Sequence, residues 1–209
     1  MIESDNYIPK ATLSRLPAYL RYLKGEAGKG IAFISSSEAA RDMGLSAVSV
    51  RKDLSVVSAP GKPHVGFEIT TLIQDIEKLL GYHRYSHAVV VGAGKLGRAI
   101  LSYEGFENYG LHVVGAFDVS PAKIGAVDGK PVYPLERLNE IVTREGVEKG
   151  VITVPKEAAQ TACDMLVGAG VCAILNFAPV YLSVPNGVQV KYVDLAATLA
   201  SLGGAPWSE

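Results

Sequence analysis

Residues 88–97 read Ala-Val-Val-Val-Gly-Ala-Gly-Lys-Leu-Gly, an apolar run followed at once by a glycine-rich turn. The run predicts a buried β-strand, and the turn after it predicts the start of a helix. Backbone N–H groups at such a helix start bind phosphate oxygens, so the stretch predicts a dinucleotide-binding unit of the Rossmann type. The alternative is an ordinary glycine-rich turn that binds another ligand. The expected cofactor contacts are Gly92, Gly94, Lys95, Leu96 and Gly97.

An acidic residue lies where a dinucleotide site requires one. The next predicted strand, 113–117, ends at Asp118, which is 21 residues after Gly97. A carboxylate at this distance accepts hydrogen bonds from the adenosine ribose hydroxyls and repels a 2′-phosphate. Residues 119–122 contain no arginine that could hold that phosphate. The sequence therefore favours NAD(H) over NADP(H).

Strands and helices alternate from residue 82 to residue 193. Nearly continuous apolar strands joined by helices are typical of a parallel sheet covered on both faces. The predicted strands are 88–91, 113–117, 151–154, 173–176 and 188–193. The predicted helices lie near 95–103, 134–145 and 156–168, and a tail helix is expected at 195–202.

The first 81 residues have a different character and predict a winged helix-turn-helix. The spacing of leucines predicts a helix over 12–25, and a short strand follows at 31–34. Two short helices then meet at Gly44, the second one starting at a Ser46 cap. The remaining expectations are a two-stranded hairpin within 55–69 and a helix that starts at Thr70 or Thr71 and ends at Gly81. The alternative is a plain three-helix cap, because Asp53 stands where the motif usually has an apolar residue.

Charge separates the two parts of the chain. Residues 9–64 carry nine Lys and Arg against four Asp and Glu, whereas residues 81–209 carry ten against twelve. A basic N-terminal part on a mildly acidic body indicates a polyanionic partner for the N-terminal part alone. The Arg51-Lys52 pair on the presumed recognition helix favours DNA.

Several classes of protein are disfavoured. The N-terminus lacks the basic and apolar regions of a signal peptide, and no apolar run approaches the length of a membrane span. Cys163 and Cys172 have no metal-ligand spacing, so we expect no metal site and interpret both as small buried hydrophobes in a reducing cytoplasm, with a redox-active pair as the alternative.

The quoted motifs, taken in order along nearly the whole chain, resemble the redox-sensing repressor family Rex. The N-terminal blocks are Lys10-Ala11-Thr12, Arg15-Leu16-Pro17 with Tyr19-Leu20-Arg21, and Val50-Arg51-Lys52-Asp53-Leu54-Ser55. The later blocks are Gly94–Gly97, Phe117-Asp118, Val154-Pro155 with Ala158-Ala159-Gln160, Ile174–Pro179 and Val193-Asp194-Leu195.

The resemblance implies an α/β homodimer that binds operator DNA when NAD+ dominates and releases it when NADH binds. It implies a winged-helix DNA-binding domain over 1–81, a Rossmann NAD(H)-binding domain over 82–193, and a C-terminal helix over 194–209 that is exchanged between subunits. The operator of such a dimer would be an inverted repeat.

The DNA contacts expected from the motif and the resemblance are Arg51 and Lys52 in the major groove, Ser46, Lys10 and Arg15 near phosphates, and Lys62 at the wing. On the cofactor side, the resemblance adds Lys123 near the adenosine. It places the nicotinamide end near Tyr103, Thr153, Val154, Pro155, Asn176, Phe177 and Ala178. The coupling hypothesis is that Arg21 pairs with Asp194 of the partner subunit in the DNA-binding state and that NADH redirects Asp194 towards Tyr103.

One segment departs from the family pattern. The wing usually reads Gly-Lys-Arg-Gly, whereas this chain reads Gly61-Lys62-Pro63-His64, so an arginine expected to enter the minor groove is absent.

The enzyme alternative is an NAD-dependent oxidoreductase with an accessory helical domain. Such an enzyme needs a proton donor beside the nicotinamide. The four histidines of this chain are the obvious candidates for that donor. They are His64, His83, His87 and His112, and the predicted elements put none of them at the carboxyl edge of the sheet, where the ligand binds. The chain is therefore predicted not to be an enzyme.

Overall fold

The computed structural model describes residues 8–58, 61–63, 65–82 and 85–202, so His64, His83 and tail residues 203–209 lie outside the described part. The chain divides into two compact units, Met1–Arg84 and Tyr85–Glu209.

The first unit is a winged helix-turn-helix. Its elements are α1 (Lys10–Gly28), β1 (Phe33–Ile34), α2 (Ser36–Met43), α3 (Ala47–Val57), β2 (Phe67–Glu68) and α4 (Ile69–Leu80). One apolar core holds them together, with Leu16, Leu20, Val50, Leu54 and Ile76 among its buried members. Helices α2 and α3 are joined at Gly44, whose φ of 65° is a left-handed conformation that favours glycine.

The helix starts were predicted with mixed success. The sequence Ser35-Ser36-Ser37-Glu38 predicts a capping box, and Ser35 forms it, because its hydroxyl accepts from the Glu38 N–H while the Glu38 carboxylate accepts from the Ser35 N–H. Ser46 occupies the cap position of α3 but makes no capping hydrogen bond with its side chain. Helix α4 starts at Ile69, after Glu68, so the prediction of a Thr70 or Thr71 cap is wrong.

The predicted hairpin is also partly wrong. Helix α3 continues to Val57, because Val57 follows Val50 and Leu54 at helical spacing onto the same core. Strand β2 pairs with β1 in antiparallel fashion. The wing is therefore closed by a bridge between Lys62 and Gly66 rather than by two longer strands.

The second unit is a Rossmann-type sheet of seven strands. They are β3 (Ser86–Val91), β4 (Leu111–Asp118), β5 (Gly125–Val127), β6 (Lys130–Pro134), β7 (Val147–Ile152), β8 (Ala173–Asn176) and β9 (Gln189–Tyr192). Their order across the sheet is β5-β6-β4-β3-β7-β8-β9, and only the β5–β6 pair is antiparallel.

Helices cover both faces of this sheet, as predicted. They are α5 (Lys95–Leu101), α6 (Leu138–Glu145) and α7 (Lys156–Gly168), and the terminal helix α8 (Leu195–Ala200) has no buried residue. Val89 and Val91 of β3 face a core with α6 and α7, whereas Ala88 and Val90 face a core with Leu101 of α5. Alternate residues of one strand therefore lie in two separate cores.

Three features of this unit were missed or misplaced. The β5–β6 hairpin was not predicted, although it turns at Asp128-Gly129, where φ is 48° and 78°. Strand β7 ends at Ile152 rather than at residue 154. Cys163 is buried as expected, but Cys172 is exposed, so its interpretation as a buried hydrophobe is wrong.

No helix within the described residues is both long and apolar enough to cross a membrane.

Candidate cofactor and DNA-binding sites

The three glycines of the phosphate-binding turn meet different demands. Gly92 has a φ of 102°, and a Cβ there would lie 2.8 Å from the Thr153 carbonyl oxygen. A Cβ on Gly97 would collide with the carbonyl oxygen of Gly92. A Cβ on Gly94, at the start of α5, would meet nothing within 4 Å. Packing therefore requires the first and third glycines, while the middle one faces open space.

Thr153 fixes this turn to the end of β7. Its N–H donates to the Val91 carbonyl oxygen at 2.9 Å, and its hydroxyl donates to the Gly92 carbonyl oxygen at 2.7 Å. The Gly92 N–H donates to the Phe117 carbonyl oxygen of β4 at 2.7 Å. The turn is thus held by both strands that neighbour β3.

Asp118 is buried beside the turn and bound by three donors. Its carboxylate accepts from the Ala93 N–H at 2.7 Å, the Ser120 N–H at 2.9 Å and the Lys123 ammonium at 2.9 Å. Burial acts to raise the pKa of Asp118, but the bonds from Lys123, Ser120 and Ala93 outweigh it and hold that pKa below its ordinary value. Asp118 is therefore a carboxylate at neutral pH, as a ribose-binding residue must be.

Two cavities open at the carboxyl ends of the strands. The larger, of about 810 Å³, is lined by Val91, Gly92, Gly94, Phe117, Asp118, Val119, Lys123, Leu135, Thr153, Val154, Pro155, Glu157, Ala158, Thr161 and Ala162. The smaller, of about 520 Å³, is lined by Leu96, Phe177, Ala178, Pro179, Val180, Tyr181, Tyr192, Val193, Asp194, Leu195 and Ala196.

The strand order explains why both cavities meet the turn. From β3 the sheet proceeds to β4 on one side and to β7 on the other. Open α/β sheets bind ligands at this reversal, outside the carboxyl ends of the strands. Gly92 and Gly94 line the larger cavity and Leu96 the smaller, so the arrangement fits a two-part ligand joined by phosphates.

Most predicted cofactor residues line one of these cavities, and four do not. Lys95, Gly97, Tyr103 and Asn176 line neither of the two. Gly97 lies inside the packing of the turn, and Tyr103 packs edge-on against Phe106 with ring centroids 5.1 Å apart. Contacts of Lys95 and Tyr103 with the cofactor stay predictions.

Asn176 organises the loop after β8 instead of facing a cavity. It is fully buried, and its amide nitrogen donates to the carbonyl oxygens of Ala178 at 3.1 Å and Val180 at 2.9 Å. Its amide oxygen accepts from the Ala178 N–H at 2.9 Å. Asn176 thereby shapes the segment that lines the smaller cavity.

Asp194 joins the smaller cavity to the terminal helix. It lines that cavity and caps α8, because its carboxylate accepts from the Ala197 N–H at 2.8 Å. Helix α8 exposes Leu195 and Leu199, at 58% and 70% of their surface. An apolar helix so exposed is typical of a segment that packs against a partner.

In the first unit, the unusual Asp53 of α3 is bonded to α1. Its carboxylate accepts from the Thr12 hydroxyl at 2.7 Å, the Tyr19 hydroxyl at 2.7 Å, and both Nε and Nη2 of Arg15 at 2.7 and 2.8 Å. This network joins the three N-terminal sequence blocks that carry the family resemblance. Arg15 uses two guanidinium nitrogens in this pair, and its contact with a DNA phosphate stays a prediction.

The predicted DNA-reading residues lie exposed on one unit. Arg51 and Lys52 are exposed on α3, and Lys10, Ser46 and Arg21 are also exposed. Arg51 and Lys62 line one depression of about 470 Å³ between α3 and the wing. The recognition helix and the wing therefore offer their cations on a shared surface.

Comparison with known proteins adds the family. A model described as a putative DNA-binding protein N-terminus matches residues 7–55, and one described as a CoA binding domain matches residues 83–180. The "Redox-sensing transcriptional repressor Rex" of Carboxydothermus hydrogenoformans is 43% identical, over 93% of this chain and 94% of that protein. The chain belongs to the Rex family of redox-sensing transcriptional repressors. The Rex of Listeria welshimeri is 38% identical over 97% of this chain and 94% of that protein.

Solved structures of the Rex family agree with this assignment. RSP, a Rex-family repressor in complex with beta-NAD+ and operator DNA, has a TM-score of 0.88 and 33% identity, covering 93% of this chain and 90% of that one. RSP in complex with beta-NADH has a TM-score of 0.83 at the same identity, covering 93% and 91%. The similar proteins carry the name of a repressor, so the enzyme alternative is not supported and the prediction of a non-enzyme is confirmed.

Proposed function

We infer that this chain binds operator DNA with NAD+ or without cofactor and leaves it when NADH binds. The observation that carries this inference is the presence of a winged helix-turn-helix and a dinucleotide turn in one chain that matches RSP over 93% of its length. RSP has been solved with NAD+ and operator DNA and with NADH. We propose that the cytoplasm is the compartment, because operator DNA and the NAD(H) pool meet there.

The residues present fit NAD(H). Gly94 leaves open space where a pyrophosphate would approach the backbone, and Asp118 is an ionised acceptor for ribose hydroxyls beside it. We propose that Lys123 borders the adenosine side, with Phe177 and Ala178 on the nicotinamide side. Thr153, Val154 and Pro155 were expected at the nicotinamide end, but they line the larger cavity together with Asp118 and Lys123, so we propose them for the adenosine side instead. When bound, the cofactor supplies a nicotinamide ring that is positive in NAD+ and neutral in NADH. A largely apolar smaller cavity favours the neutral ring.

A homodimer is part of this proposal. The exposed leucines of α8 are buried if the helix packs against a second copy, which agrees with an exchanged C-terminal helix. Two recognition helices related by a two-fold axis read an inverted repeat, with half-sites spaced by about one helical turn or a multiple of it.

The test of the function is operator binding at fixed NAD+ with increasing NADH. The probe is a duplex that the protein itself selects from a random pool, with binding followed by fluorescence anisotropy. NADH should release the protein from the duplex at lower concentration than NADPH, because Asp118 repels a 2′-phosphate. If NADPH releases the protein at the same concentration as NADH, Asp118 does not discriminate against the 2′-phosphate. If neither cofactor releases the protein from the duplex, the proposed function is contradicted.

Arg51→Ala should weaken operator binding by about 1–3 kcal/mol and relax the preference for one base pair. The reason is that Arg51 is exposed on α3 beside the wing, where a guanidinium can bind a guanine edge. Anisotropy with the selected duplex and its single-base variants measures both effects. Arg137→Ala, an exposed arginine of the second unit, is the matched control. Unchanged affinity and base preference in Arg51→Ala would refute its placement in the major groove.

Asp194→Ala should keep NADH binding but raise the NADH concentration needed for release from DNA. The reason is that Asp194 is proposed to pair with Arg21 in the DNA-binding state and to turn towards Tyr103 when NADH binds. Asp194 also caps α8, so Asp194→Asn is the informative companion, since asparagine caps a helix without a charge. If charge carries the coupling, both variants respond weakly. Release of both at the parent NADH concentration rules out the exchange.

A further inference from the structure

The segment between β8 and β9 is held by side chains rather than by regular secondary structure. Residues 177–188 contain no helix or strand, yet residues 177–181 line the smaller cavity. Asn176 binds the start of this loop, as described above. Farther along, the Leu182 N–H donates to the Tyr192 hydroxyl at 3.0 Å, and Ser183 is bound by Gln160. The position of the cavity wall therefore depends on three side chains.

Gln160 holds Ser183 by a two-point contact. Its amide oxygen accepts from the Ser183 N–H at 2.9 Å, and its amide nitrogen donates to the Ser183 carbonyl oxygen at 3.0 Å. The same nitrogen donates to the Asp164 carboxylate at 2.7 Å, one turn farther along α7. Because Asp164 only accepts, it fixes which end of the Gln160 amide faces each group of Ser183.

Gln160 differs from the other two side chains because it can be replaced without changing the surface of either cavity. Asn176 is fully buried, and Tyr192 itself lines the smaller cavity, so replacing either one changes packing or contact surface directly. Gln160 lines neither the smaller nor the larger cavity. Its contact with the loop at Ser183 is therefore the path by which Gln160 can act on the smaller cavity, and an effect through α7 would reach the larger cavity instead.

We propose that Gln160 is a positioning residue for the nicotinamide half of the cofactor: its amide holds the wall of the smaller cavity in place before the ligand arrives. The inference rests on the proposed function, since it assumes that the smaller cavity takes the nicotinamide. A loop that is already ordered loses less conformational entropy on binding, so holding it raises affinity without any contact to the ligand. The phosphate-binding turn and Asp118 lie outside this loop, so the adenosine half gains nothing from it.

The test compares two ligands that differ in the nicotinamide alone. The full chain is titrated calorimetrically with NADH and with ADP-ribose, which retains the adenosine, pyrophosphate and second ribose. Gln160→Met keeps the length of the side chain and removes both hydrogen bonds to Ser183. Because the two lost hydrogen bonds have ordinary net strength, we expect the Kd for NADH to rise about tenfold in Gln160→Met. The Kd for ADP-ribose should stay within about twofold of the parent value. Gln189→Met on β9, an exposed glutamine that lines neither cavity, should change neither value.

A merely structural role of Gln160 gives a different pattern. In that case Gln160→Met lowers the midpoint of urea unfolding and changes the Kd of NADH and of ADP-ribose by the same factor, or changes neither Kd. Either of these results overturns the proposal. Asp164→Ala leaves Gln160 in place but frees its amide, so it should shift the NADH Kd in the same direction by about threefold. This milder variant decides the matter if Gln160→Met does not fold. If the unmodified chain binds ADP-ribose as tightly as NADH, the proposed function fails. If it prefers NADH and the variants keep that preference, only the role of Gln160 fails.

Discussion

Asp53→Ala is expected to destabilise the DNA-binding unit by about 3 kcal/mol and to abolish operator binding, while NADH binding is kept. The carboxylate of Asp53 is buried and accepts four hydrogen bonds from α1, so its removal leaves Arg15, Tyr19 and Thr12 without their acceptor. The value lies at the lower end for a broken buried pair, because the Arg15 side chain is 35% exposed and can reach water. Urea unfolding and separate titrations with duplex and NADH measure the three effects.

Asp42→Ala is the matched control for this substitution. Asp42 lies exposed on α2 of the same unit and accepts from the Tyr22 hydroxyl at 2.8 Å. Loss of such a surface contact changes stability by about 0.5 kcal/mol or less. If Asp53→Ala is no less stable than Asp42→Ala, the network of Asp53 does not hold α3 in place.

The same network gives the unit a defined response to acid. Burial acts to raise the pKa of Asp53, but bonds from Arg15, Tyr19 and Thr12 outweigh it, so the pKa lies below its ordinary value of 3.8. A carboxyl group with a lowered folded pKa contributes its stability above the ordinary value and loses it as the pH falls through the folded value. The contribution of Asp53 is therefore complete at neutral pH and disappears in strong acid.

Gly94→Val is expected to raise the Kd for NADH by at least about 100-fold, or about 2.7 kcal/mol, with little change in stability. A Cβ at Gly94 meets no protein atom within 4 Å, and its φ of −75° is open to any residue, so the fold tolerates valine. The new side chain fills the space that a pyrophosphate needs. Such a protein should stay on its operator at NADH concentrations that release the parent.

Two other glycines provide the comparison for Gly94. Gly168→Val places the same side chain in open space near the end of α7 and should leave the NADH affinity unchanged. Gly97→Ala brings a Cβ against the Gly92 carbonyl oxygen, so it should destabilise the second unit as well as weaken the cofactor. Parent-like NADH binding by Gly94→Val would mean that the cofactor does not pass over this turn.

Local patterns in the sequence were enough to predict most of the sheet and the turn. The apolar run before Gly92 and the helix after it are both present, because neighbouring residues determine them. The start and end of the β7 strand were less well defined, since the strand is selected by pairing with β3 across about sixty residues. The β5–β6 hairpin has a local signal in its Asp128-Gly129 turn, where both residues have positive φ, although the pattern of apolar strands does not include it.

The chemistry of single residues was harder to predict, because partners distant in sequence decide it. In the sequence, Asp53 is only a departure from the apolar residue that the motif usually has. Its role becomes visible in the folded unit, where Arg15 and Tyr19 lie within hydrogen-bond distance of its carboxylate. Asn176 was expected beside the cofactor, and nothing local in the sequence indicates that its amide makes three hydrogen bonds to the backbone of the following loop. Gln160 belongs to the block Ala158-Ala159-Gln160 that carries part of the family resemblance. No residue near it in the sequence indicates that Ser183 is its hydrogen-bond partner.

The bonds of Asp53 also decide how the DNA-binding unit moves. Three side chains of α1 bind one carboxylate of α3, so a displacement of α1 relative to α3 has to break hydrogen bonds to a buried acceptor. Arg21 lies on α1, two residues beyond Tyr19. If NADH acts on Arg21 as the coupling hypothesis proposes, the bonds of Asp53 connect that residue's helix directly to the recognition helix.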